Sequence, residues 1–202
     1  MKYKTVKRIL DIIISIILII LLAPMMLIIF VTLKCNDRHA SAFFVHSRVG
    51  KNNKTIKVYK FRTMIEGAEH SLEILSDSQR QEFYEHFKVK DDPRVTQIGK
   101  FLRKTSLDEL PQFINVLKGD MSIVGPRPLI KDELQRYGKN KEKLLSVMPG
   151  LTGNWVINNK YKTSYVERMN LELYYVDNMS FKLDLKIFFK TVFMFFIINN
   201  VM

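Results

Sequence analysis

The feature that most constrains this chain is an apolar run near its start, from Ile12 to Leu33, which few polar residues interrupt. As a helix that rises about 1.5 Å per residue, the run would be about 33 Å long, enough to cross a hydrocarbon core of about 30 Å. It is longer than the apolar part of a usual secretory signal, and no small-residue cleavage pattern follows it. The sequence therefore predicts a retained membrane anchor, which we place at residues 1–36.

Charges on both sides of the run leave its path through the membrane open. Basic residues such as Lys7 and Arg8 precede it, and others follow it from Lys34 onward. Positively charged flanks favour the cytoplasmic side, so a straight crossing satisfies only one flank. Pro24 lies near the middle of the run, removes a helical hydrogen bond and favours a bend. Two paths fit these residues: a single span with a proline kink, or a re-entrant hairpin that turns at Ala23-Pro24.

The composition adds a strong positive charge. Lys and Arg number 32 against 20 Asp and Glu, which gives a net charge of +12 at pH 7. Such a charge attracts polyanions, so nucleic acid, anionic lipid and phosphorylated substrates are all candidate partners. Cys35 is the single cysteine, which excludes an intrachain disulfide and favours a reducing compartment.

The rest of the chain predicts an α+β fold that is mostly helical. Strand patterns at 43–49 and 55–61, joined by the turn-rich residues 50–53, predict a short β-hairpin. Helical patterns follow at 66–90, 98–104, 107–117, 129–147 and 163–178. We expect these elements to form one compact domain over residues 37–182.

The C-terminal segment, residues 183–202, combines many phenylalanines with regularly spaced lysines. Lys182, Lys186 and Lys190 lie four residues apart and therefore share one face of a helix. The pattern predicts an amphipathic helix at the membrane interface, with its aromatic face in lipid and its lysines near the headgroups. The alternative is a helix packed on the core of the domain.

Two adjacent carboxylates, Asp108 and Glu109, are the first candidate site residues. Ser106 and Glu109 have the spacing of a capping box, so the simplest interpretation is that the acids stabilise a helix start. The second interpretation is chemical, because an ionised carboxylate in a cleft near the membrane can act as a nucleophile or hold Mg²⁺. The acid pair alone does not decide between the two.

Cations on both sides of the acid pair favour the chemical interpretation. Lys60 lies at the end of the second predicted strand, Arg103 precedes the acids, and Arg127 follows them between two prolines. The prolines restrict the backbone around Arg127 and lower the entropy lost in presenting its guanidinium, a fork suited to phosphate oxygens. Carboxylates surrounded by cations are what phosphoryl transfer between anionic substrates requires.

These motifs resemble those of the bacterial sugar transferase family, the small monotopic polyprenyl-phosphate phosphoglycosyl transferases. The resemblance rests on KFRTM at 60–64, RKTSLDELPQFINVLKGDMSIVGPRP at 103–128 and PGLTG at 149–153. It implies transfer of a sugar 1-phosphate from a UDP-sugar to a polyprenyl phosphate such as undecaprenyl phosphate, with release of UMP. That reaction would start the assembly of a bacterial surface glycan, such as an exopolysaccharide, capsule or lipopolysaccharide.

The resemblance also implies roles for single residues. Asp108 matches the aspartate that forms a covalent phosphosugar intermediate, and Glu109 matches its metal-binding partner. Mg²⁺ is then the expected cofactor, held by Glu109 together with Asp108. Arg103 and Arg127 match positions that contact substrate phosphate, and we place Lys60 with them because it lies in the equivalent strand-end motif.

The resemblance bears on the membrane path as well. Ala23-Pro24 matches the turn of the family's re-entrant hairpin, which favours re-entry over a straight span. It implies a monotopic protein of the bacterial inner membrane, with residues 37–182 as a catalytic domain on the cytoplasmic face. The expected partners are the UDP-sugar, the polyprenyl phosphate and membrane lipid, and nucleic acid is not expected. Downstream glycosyltransferases and a second copy of the chain are further candidate partners.

One stretch departs from the family pattern. After PGLTG, members commonly continue with a sequence like Trp-Ala-Gln-Val-Asn-Gly-Arg, whereas residues 154–160 here read NWVINNK. Binding roles are therefore not transferred to this loop, and Trp155 is expected to be a packing residue or an interfacial anchor. The competing hypothesis for the whole chain is a membrane-tethered basic scaffold that binds nucleic acid or lipid without catalysis.

Overall fold

The computed structural model describes residues 3–87, 89–158 and 164–200. The helices are α1 (Tyr3–Asn36), α2 (Asp77–His86), α3 (Gln97–Lys104), α4 (Gln112–Lys118), α5 (Lys131–Gln135), α6 (Lys141–Leu145), α7 (Asn154–Ile157), α8 (Tyr165–Asp177) and α9 (Phe181–Asn200). The strands are β1 (Phe43–Val49), β2 (Thr55–Phe61), β3 (Ser122–Val124) and β4 (Gly150–Thr152). The prediction of a mostly helical α+β chain with a short β-hairpin is confirmed.

The chain divides into two compact units. The large unit comprises Met1–Ala23, Val45–Tyr59 and Pro111–Met202. The small unit comprises Pro24–Phe44 and Lys60–Leu110. Each unit therefore contains one part of α1 and one end of the β-hairpin, so neither is a continuous stretch of sequence. The predicted division into 1–36, 37–182 and 183–202 concerns contact with the membrane and stays a prediction.

The long helix α1 continues through Pro24 without interruption. Within the described ranges it is the one helix that is long and apolar enough to cross a membrane. Much of its apolar surface has no protein cover, and Ile20 and Leu21 are 70% and 69% exposed. Exposed apolar surface of this extent is unfavourable in water and suits lipid. The boundary between the two units falls between Ala23 and Pro24, the position predicted for the turn.

The predicted hairpin occurs with the predicted bounds. β1 and β2 pair in a two-stranded sheet, and their short connection, residues 50–54, makes the pair antiparallel because parallel strands need a long crossover. A 3-10 turn at Lys51–Asn53 forms the bend. Asn52 and Asn53 adopt left-handed backbone angles (φ 55° and 63°), which asparagine tolerates better than most residues.

The core of the small unit holds the end of β2 against α3. Phe61, Leu102 and Leu107 are buried together with Ile29 and Leu33 from the second half of α1. A glycine is required where α3 meets the strand end, since a Cβ at Gly99 would lie 1.9 Å from the carbonyl oxygen of Thr63. The KFRTM motif therefore has α3 pressed against its backbone.

Two predicted helices are shorter than expected. Only Asp77–His86 of the range 66–90 is an α-helix, because Gly67 is left-handed (φ 72°) and Ser76 starts the helix with a capping box. The range 129–147 is broken into α5 and α6, because Gly138 between them has a left-handed backbone (φ 48°). Glycine adopts such angles at little cost. The helical pattern of residues 129–147 gave no sign of this break, so the sequence predicted one helix.

A parallel strand pair in the large unit joins two motifs that are far apart in sequence. Strand β3 pairs with β4 in the register Ser122↔Gly150 and Val124↔Thr152. The amide of Gly150 donates to the carbonyl of Pro126 at 2.7 Å. A Cβ at Gly150 would lie 2.1 Å from the amide nitrogen of Gly125, so the two backbones approach too closely for any residue but glycine. The GPRP and PGLTG motifs are therefore neighbours in space.

Helices α8 and α9 complete the large unit. The predicted helix at 163–178 is confirmed by α8, which a capping box between Ser164 and Glu167 starts. On α9, Ile187 is fully buried whereas Phe189 and Phe193 are 63% and 64% exposed. One face of α9 thus packs on the large unit, as the core-packed alternative predicts. Another face is exposed and apolar, as the interfacial alternative predicts. Residues 201–202 and the side chains of 195–200 from the predicted C-terminal segment lie outside the described part of the chain.

Candidate active site

The two carboxylates lie on a 3-10 turn, Leu107–Glu109, rather than inside a helix. The predicted helix 107–117 is therefore wrong at its start, because α4 begins only at Gln112, after Pro111. Its predicted end is confirmed, since Gly119 stops the helix with a left-handed backbone (φ 83°).

The capping-box interpretation of the acid pair fails at Ser106. This residue has a left-handed backbone (φ 56°), and its side chain makes no capping hydrogen bond. A non-glycine residue in that conformation costs about 1 kcal/mol or more, so the chain turns sharply at some expense just before the acids. Helix capping by Ser106 therefore does not explain why two acids stand at Asp108 and Glu109.

Lys60 joins the two acids. Its Nζ lies 2.7 Å from Glu109 Oε1 and 3.5 Å from Asp108 Oδ2. The Asp108 side chain is 9% exposed, whereas those of Glu109 and Lys60 are 27% and 23% exposed. One ammonium shared between adjacent carboxylates offsets their mutual repulsion. The strand-end motif and the acid pair therefore meet in the folded chain.

Arg103 belongs to the same cluster. Its Nε donates to Thr63 Oγ1 at 2.9 Å, and the Thr63 carbonyl accepts from the amide of Thr96 at 3.0 Å. Desolvation lowers the pKa of Arg103, and the nearby carboxylates of Asp108 and Asp92 act in the opposite direction. Arg103 therefore lies within electrostatic range of Asp108 and is held by Thr63, two residues beyond the end of β2.

The acid pair has the donor chemistry that Mg²⁺ prefers. Within residues 3–87, 89–158 and 164–200, no group of three or more His, Cys, Asp or Glu side chains could hold a metal ion. Mg²⁺ is commonly bound by one or two carboxylates, with water and substrate phosphates as its other ligands. Asp108 and Glu109 fit that pattern, and Glu109 is the more accessible of the two.

Arg127, the remaining predicted cation, is part of the large unit. Its backbone amide donates to Glu172 Oε2 at 3.2 Å, and its guanidinium carbon lies 5.7 Å from the centre of the Trp155 ring. The structure therefore brings Lys60, Arg103 and the acid pair together within the small unit. It places Arg127 in a second polar cluster within the large unit.

That second cluster contains residues which sequence reasoning missed. Glu172 is 1% exposed, and Arg168, 9% exposed, places its guanidinium carbon 4.6 Å from the Trp155 ring centre. Burial raises the pKa of Glu172 from 4.5 to about 7, against the opposing effects of Arg168 and of the Arg127 amide. The available signal was polar residues at helical spacing on α8, which resembles an ordinary solvated face.

Trp155 packs against two arginine side chains. It lies in α7, at the start of the divergent loop, and contacts the guanidinium groups of Arg127 and Arg168. Such cation–π contacts favour the face of an indole ring. Asn159 and Lys160, where the loop departs from the family pattern, lie outside the described residues.

Comparison with known sequences agrees with the geometry. The profile of the bacterial sugar transferase family matches residues 2–197. An undecaprenyl-phosphate galactose phosphotransferase of Salmonella typhimurium is 43% identical, and the alignment covers 92% of this chain and 39% of that protein. A UDP-glucose:undecaprenyl-phosphate glucose-1-phosphate transferase of Klebsiella pneumoniae is 40% identical over 95% of this chain and 40% of that protein.

A shorter relative matches over most of its own length. The exopolysaccharide production protein ExoY of Sinorhizobium fredii is 43% identical, and the alignment covers 92% of this chain and 83% of that protein. The chain thus spans about two fifths of the Salmonella and Klebsiella proteins and most of ExoY. The family profile covers the anchor, the acid pair and both loop motifs together. The chain therefore belongs to the bacterial sugar transferase family.

Proposed function

We propose that this chain transfers a sugar 1-phosphate from a UDP-sugar to a polyprenyl phosphate such as undecaprenyl phosphate, with release of UMP. The observation that carries the proposal is the cluster in which Lys60 bridges Asp108 and Glu109. The names of the Salmonella and Klebsiella relatives support the reaction class, and they specify galactose and glucose respectively. The name of ExoY supports a role in exopolysaccharide production.

In the first step, a carboxylate oxygen of Asp108 attacks the β-phosphorus of the UDP-sugar. A P–O bond forms to Asp108 while the bond from that phosphorus to the oxygen bridging the two phosphates breaks. The bridging oxygen leaves with the electron pair as part of UMP, and the sugar phosphate stays on Asp108. Nucleophilic catalysis of this kind replaces one difficult displacement by two easier ones.

In the second step, a phosphate oxygen of the polyprenyl phosphate attacks the same phosphorus. The bond to Asp108 breaks, the carboxylate is regenerated, and the product is a polyprenyl diphosphate sugar. Neither step requires a net proton transfer, so no general acid has to be assigned. The reaction needs cations instead, because two anionic substrates meet an anionic nucleophile.

The cations of the chain supply that compensation. Lys60 offsets the charge of Asp108, and Arg103, which lies within electrostatic range of Asp108, would attract the incoming phosphate. Arg127 contributes a guanidinium fork for phosphate oxygens, a role supported by its family position. Glu109 with Asp108 would hold Mg²⁺, which when bound neutralises charge on the phosphate oxygens.

We further propose that α1 is re-entrant, so that the chain is monotopic with its catalytic part on the cytoplasmic face of the bacterial inner membrane. The first turns of α1 are bonded to the large unit, where Arg8 donates to the carbonyl oxygens of Val116 and Leu117 at 2.6 and 2.9 Å. The second half has its own partners, since Leu33 is buried in the core of the small unit. A straight span would take one end of α1 to the opposite face of the membrane. Re-entry requires α1 to bend, and Pro24, which lies inside the helix, is the position where a bend is expected.

The C-terminal helix supports attachment to the membrane surface. Leu185, Phe189 and Phe193 form an exposed apolar stripe on α9, 52%, 63% and 64% exposed. Lys182 and Lys186 are exposed beside it. An apolar stripe flanked by lysines fits the interface of an anionic bilayer, with the lysines near the headgroups.

The decisive experiment looks for the covalent intermediate. The full chain in lipid nanodiscs is incubated with Mg²⁺ and a panel of labelled UDP-sugars, first without and then with undecaprenyl phosphate. We expect UMP release and a phosphosugar on the peptide that contains Asp108, and label moves to lipid once the acceptor is added. Asp108→Asn should abolish both, a loss of at least about a thousand-fold, because a carboxamide is a poor nucleophile.

Two controls separate the claims. Glu109→Gln keeps the nucleophile, so it should slow turnover and weaken the dependence on Mg²⁺ without preventing labelling of Asp108. Labelled lipid without any enzyme-bound phosphosugar would contradict the covalent route and leave direct transfer. Failure of the wild-type chain to form UMP or labelled lipid with every donor would contradict the proposed activity as a whole.

A further inference from the structure

The backbone of the Pro126-Arg127-Pro128 segment has only one hydrogen-bond donor. Proline lacks an N–H, so the amide of Arg127 is the sole donor of these three residues. That amide donates to Oε2 of Glu172 at 3.2 Å. Glu172 is 1% exposed, so the acceptor is a carboxylate enclosed by protein.

Helix α8, which carries Glu172, also contacts the backbone that precedes Pro126. Arg168, Glu172 and Tyr175 are the buried residues of α8, spaced four and three apart, so they share one face. The hydroxyl of Tyr175 donates to Oδ1 of Asp184 at 2.7 Å, and its oxygen also lies 3.1 Å from the carbonyl oxygen of Val124. Glu172 therefore holds the amide that follows Pro126, while Tyr175 contacts the backbone just before Gly125.

Arg168 extends this support to the side chain of Arg127. Its guanidinium lies 4.6 Å from the centre of the Trp155 ring, over which the Arg127 guanidinium also lies at 5.7 Å. Nη2 of Arg168 is 2.9 Å from Oε1 of Glu133, an ion pair with a buried carboxylate. Trp155 is thus held by a buried arginine that is itself held by an acid.

A buried carboxylate is an expensive means of holding one backbone amide. Glu172 lies at full burial among Arg168, Glu133 and the Arg127 amide, and an apolar residue of similar volume would avoid the cost of desolvating the acid. Perturbed ionisable groups without a net benefit to folding are concentrated at functional sites. The geometry here supplies the reason, because the amide that Glu172 accepts belongs to a residue with a proposed role in phosphate binding.

We propose that Glu172 and Arg168 are positioning residues that orient Arg127 for the anionic donor, Glu172 through the backbone and Arg168 through Trp155. The inference rests on the proposed function, in which Arg127 binds a phosphate of a nucleoside diphosphate sugar. Neither residue is assigned contact with substrate. Their effect is expected in donor binding rather than in the chemical steps at Asp108.

The test is a double-mutant cycle on the full chain in nanodiscs, read out as the KM for the UDP-sugar, kcat, and the Kd for UDP alone. Glu172→Ala should raise KM and the UDP Kd about tenfold with kcat changed less than about threefold, and Glu172→Gln, which keeps an acceptor oxygen, should recover most of the loss. In an Arg127→Ala background, Glu172→Ala should add less than about a twofold further change, because its effect passes through Arg127.

Arg168→Lys gives a second test that does not depend on the folding of Glu172→Ala. It keeps a charge toward Glu133 but lacks the planar group over Trp155, so KM should rise while kcat is maintained. Tyr137→Phe is the control, because it removes a buried hydroxyl of the same unit that has no hydrogen-bond partner among the described residues. It should leave KM, kcat and the Kd for UDP unchanged.

Additive effects of Glu172→Ala and Arg127→Ala would overturn the proposal, as would a fall in melting temperature with unchanged KM. UDP binding is measured without turnover, which separates this inference from the proposed reaction. If Glu172→Ala loses UDP affinity but the wild type transfers no sugar phosphate, the proposed reaction is contradicted and the positioning role of Glu172 is supported. If the wild type transfers sugar phosphate but no variant changes UDP affinity, the proposed reaction is supported and the positioning role is contradicted.

Discussion

The two units each contain a cluster of carboxylates and cations, and the clusters are built differently. In the small unit, Asp108 and Glu109 share the ammonium of Lys60, whose side chain is 23% exposed. In the large unit, Glu133 pairs with the guanidinium of Arg168, and these side chains are 3% and 11% exposed. The first cluster lies at a strained turn on flexible side chains, and the second lies on the inner faces of helices.

The difference follows from what each cation can do. A lysine ammonium is a compact charge on a flexible stem, so an incoming phosphate can compete with the carboxylates for it. A guanidinium is planar and rigid, and once buried against Trp155 and Glu133 it has few alternative positions. The groups proposed to react thus have a mobile counter-charge, whereas the groups proposed to position the loop have a fixed one.

The largest expected effect comes from breaking the fixed pair. Arg168→Met should lower the free energy of unfolding by about 3 kcal/mol, the low end for a broken buried pair, because the buried Glu133 carboxylate keeps the more distant guanidinium of Arg48 at 3.8 Å. Urea unfolding of the chain in detergent, followed by circular dichroism, measures this. A loss below about 1 kcal/mol would show that the pair contributes no more than a surface ion pair.

Lys60→Met is the matched change in the other cluster. It should alter the free energy of unfolding by less than about 1 kcal/mol, because the pair is partly solvated. Sugar-phosphate transfer should instead fall about a hundredfold, since the charge that balances Asp108 is gone. If Lys60→Met destabilised the fold as much as Arg168→Met, the distinction between the clusters would be lost.

The next effect is a pH dependence of stability due to Glu172. Burial raises its pKa from 4.5 to about 7 despite Arg168 and the Arg127 amide, and the carboxylate of Glu133 adds to the rise. The folded state therefore binds a proton more readily than the unfolded chain. The benefit is complete below about pH 4.5 and is lost as the pH rises to about 7, in total about 3 kcal/mol at 1.36 kcal/mol per pKa unit.

Glu172→Gln isolates that contribution, because the amide does not titrate. We expect wild type to lose about 3 kcal/mol relative to Glu172→Gln between about pH 4.5 and pH 8, measured as the difference between their unfolding free energies. Other carboxyl groups cancel in the difference. Parallel curves for the two proteins would mean that folding does not raise the pKa of Glu172.

The smallest effect concerns the strained turn before the acids. Ser106→Gly should raise the free energy of unfolding by up to about 1 kcal/mol, because glycine adopts a φ of 56° without strain. The gain is reduced by the greater freedom of glycine in the unfolded chain. Thermal melting measures the change, and destabilisation would indicate that the Ser106 side chain holds the turn in a way that the backbone does not reveal.

Local features of the fold were predictable from the sequence. The hairpin bounds 43–49 and 55–61 follow from alternating β-branched and aromatic residues around an asparagine turn. The end of α4 follows from Gly119, which stops a helix by its left-handed backbone. The start of α4 was predicted at 107 but lies at Gln112. The sequence gives no sign that Ser106 has a left-handed backbone.

Long-range arrangements were not predictable from the pattern of residues. Lys60 and Glu109 are 49 positions apart, and only the folded chain shows their 2.7 Å contact. Resemblance to a family indicated that both belong to a site, but physical reasoning from spacing did not. Glu172 escaped notice because a glutamate on a polar helix is normally solvated, and its burial depends on residues 45 positions away.

The close approach of the backbones at Gly125 and Gly150 limits how this chain can be recombined with its relatives. A Cβ at Gly150 would lie 2.1 Å from the amide of Gly125, and one at Gly125 would lie 2.5 Å from the carbonyl of Met148. The backbone paths of the two loops are therefore determined jointly. A chimera intended to change donor preference should exchange residues 125–128 and 149–153 as a pair, together with the α8 face that holds them.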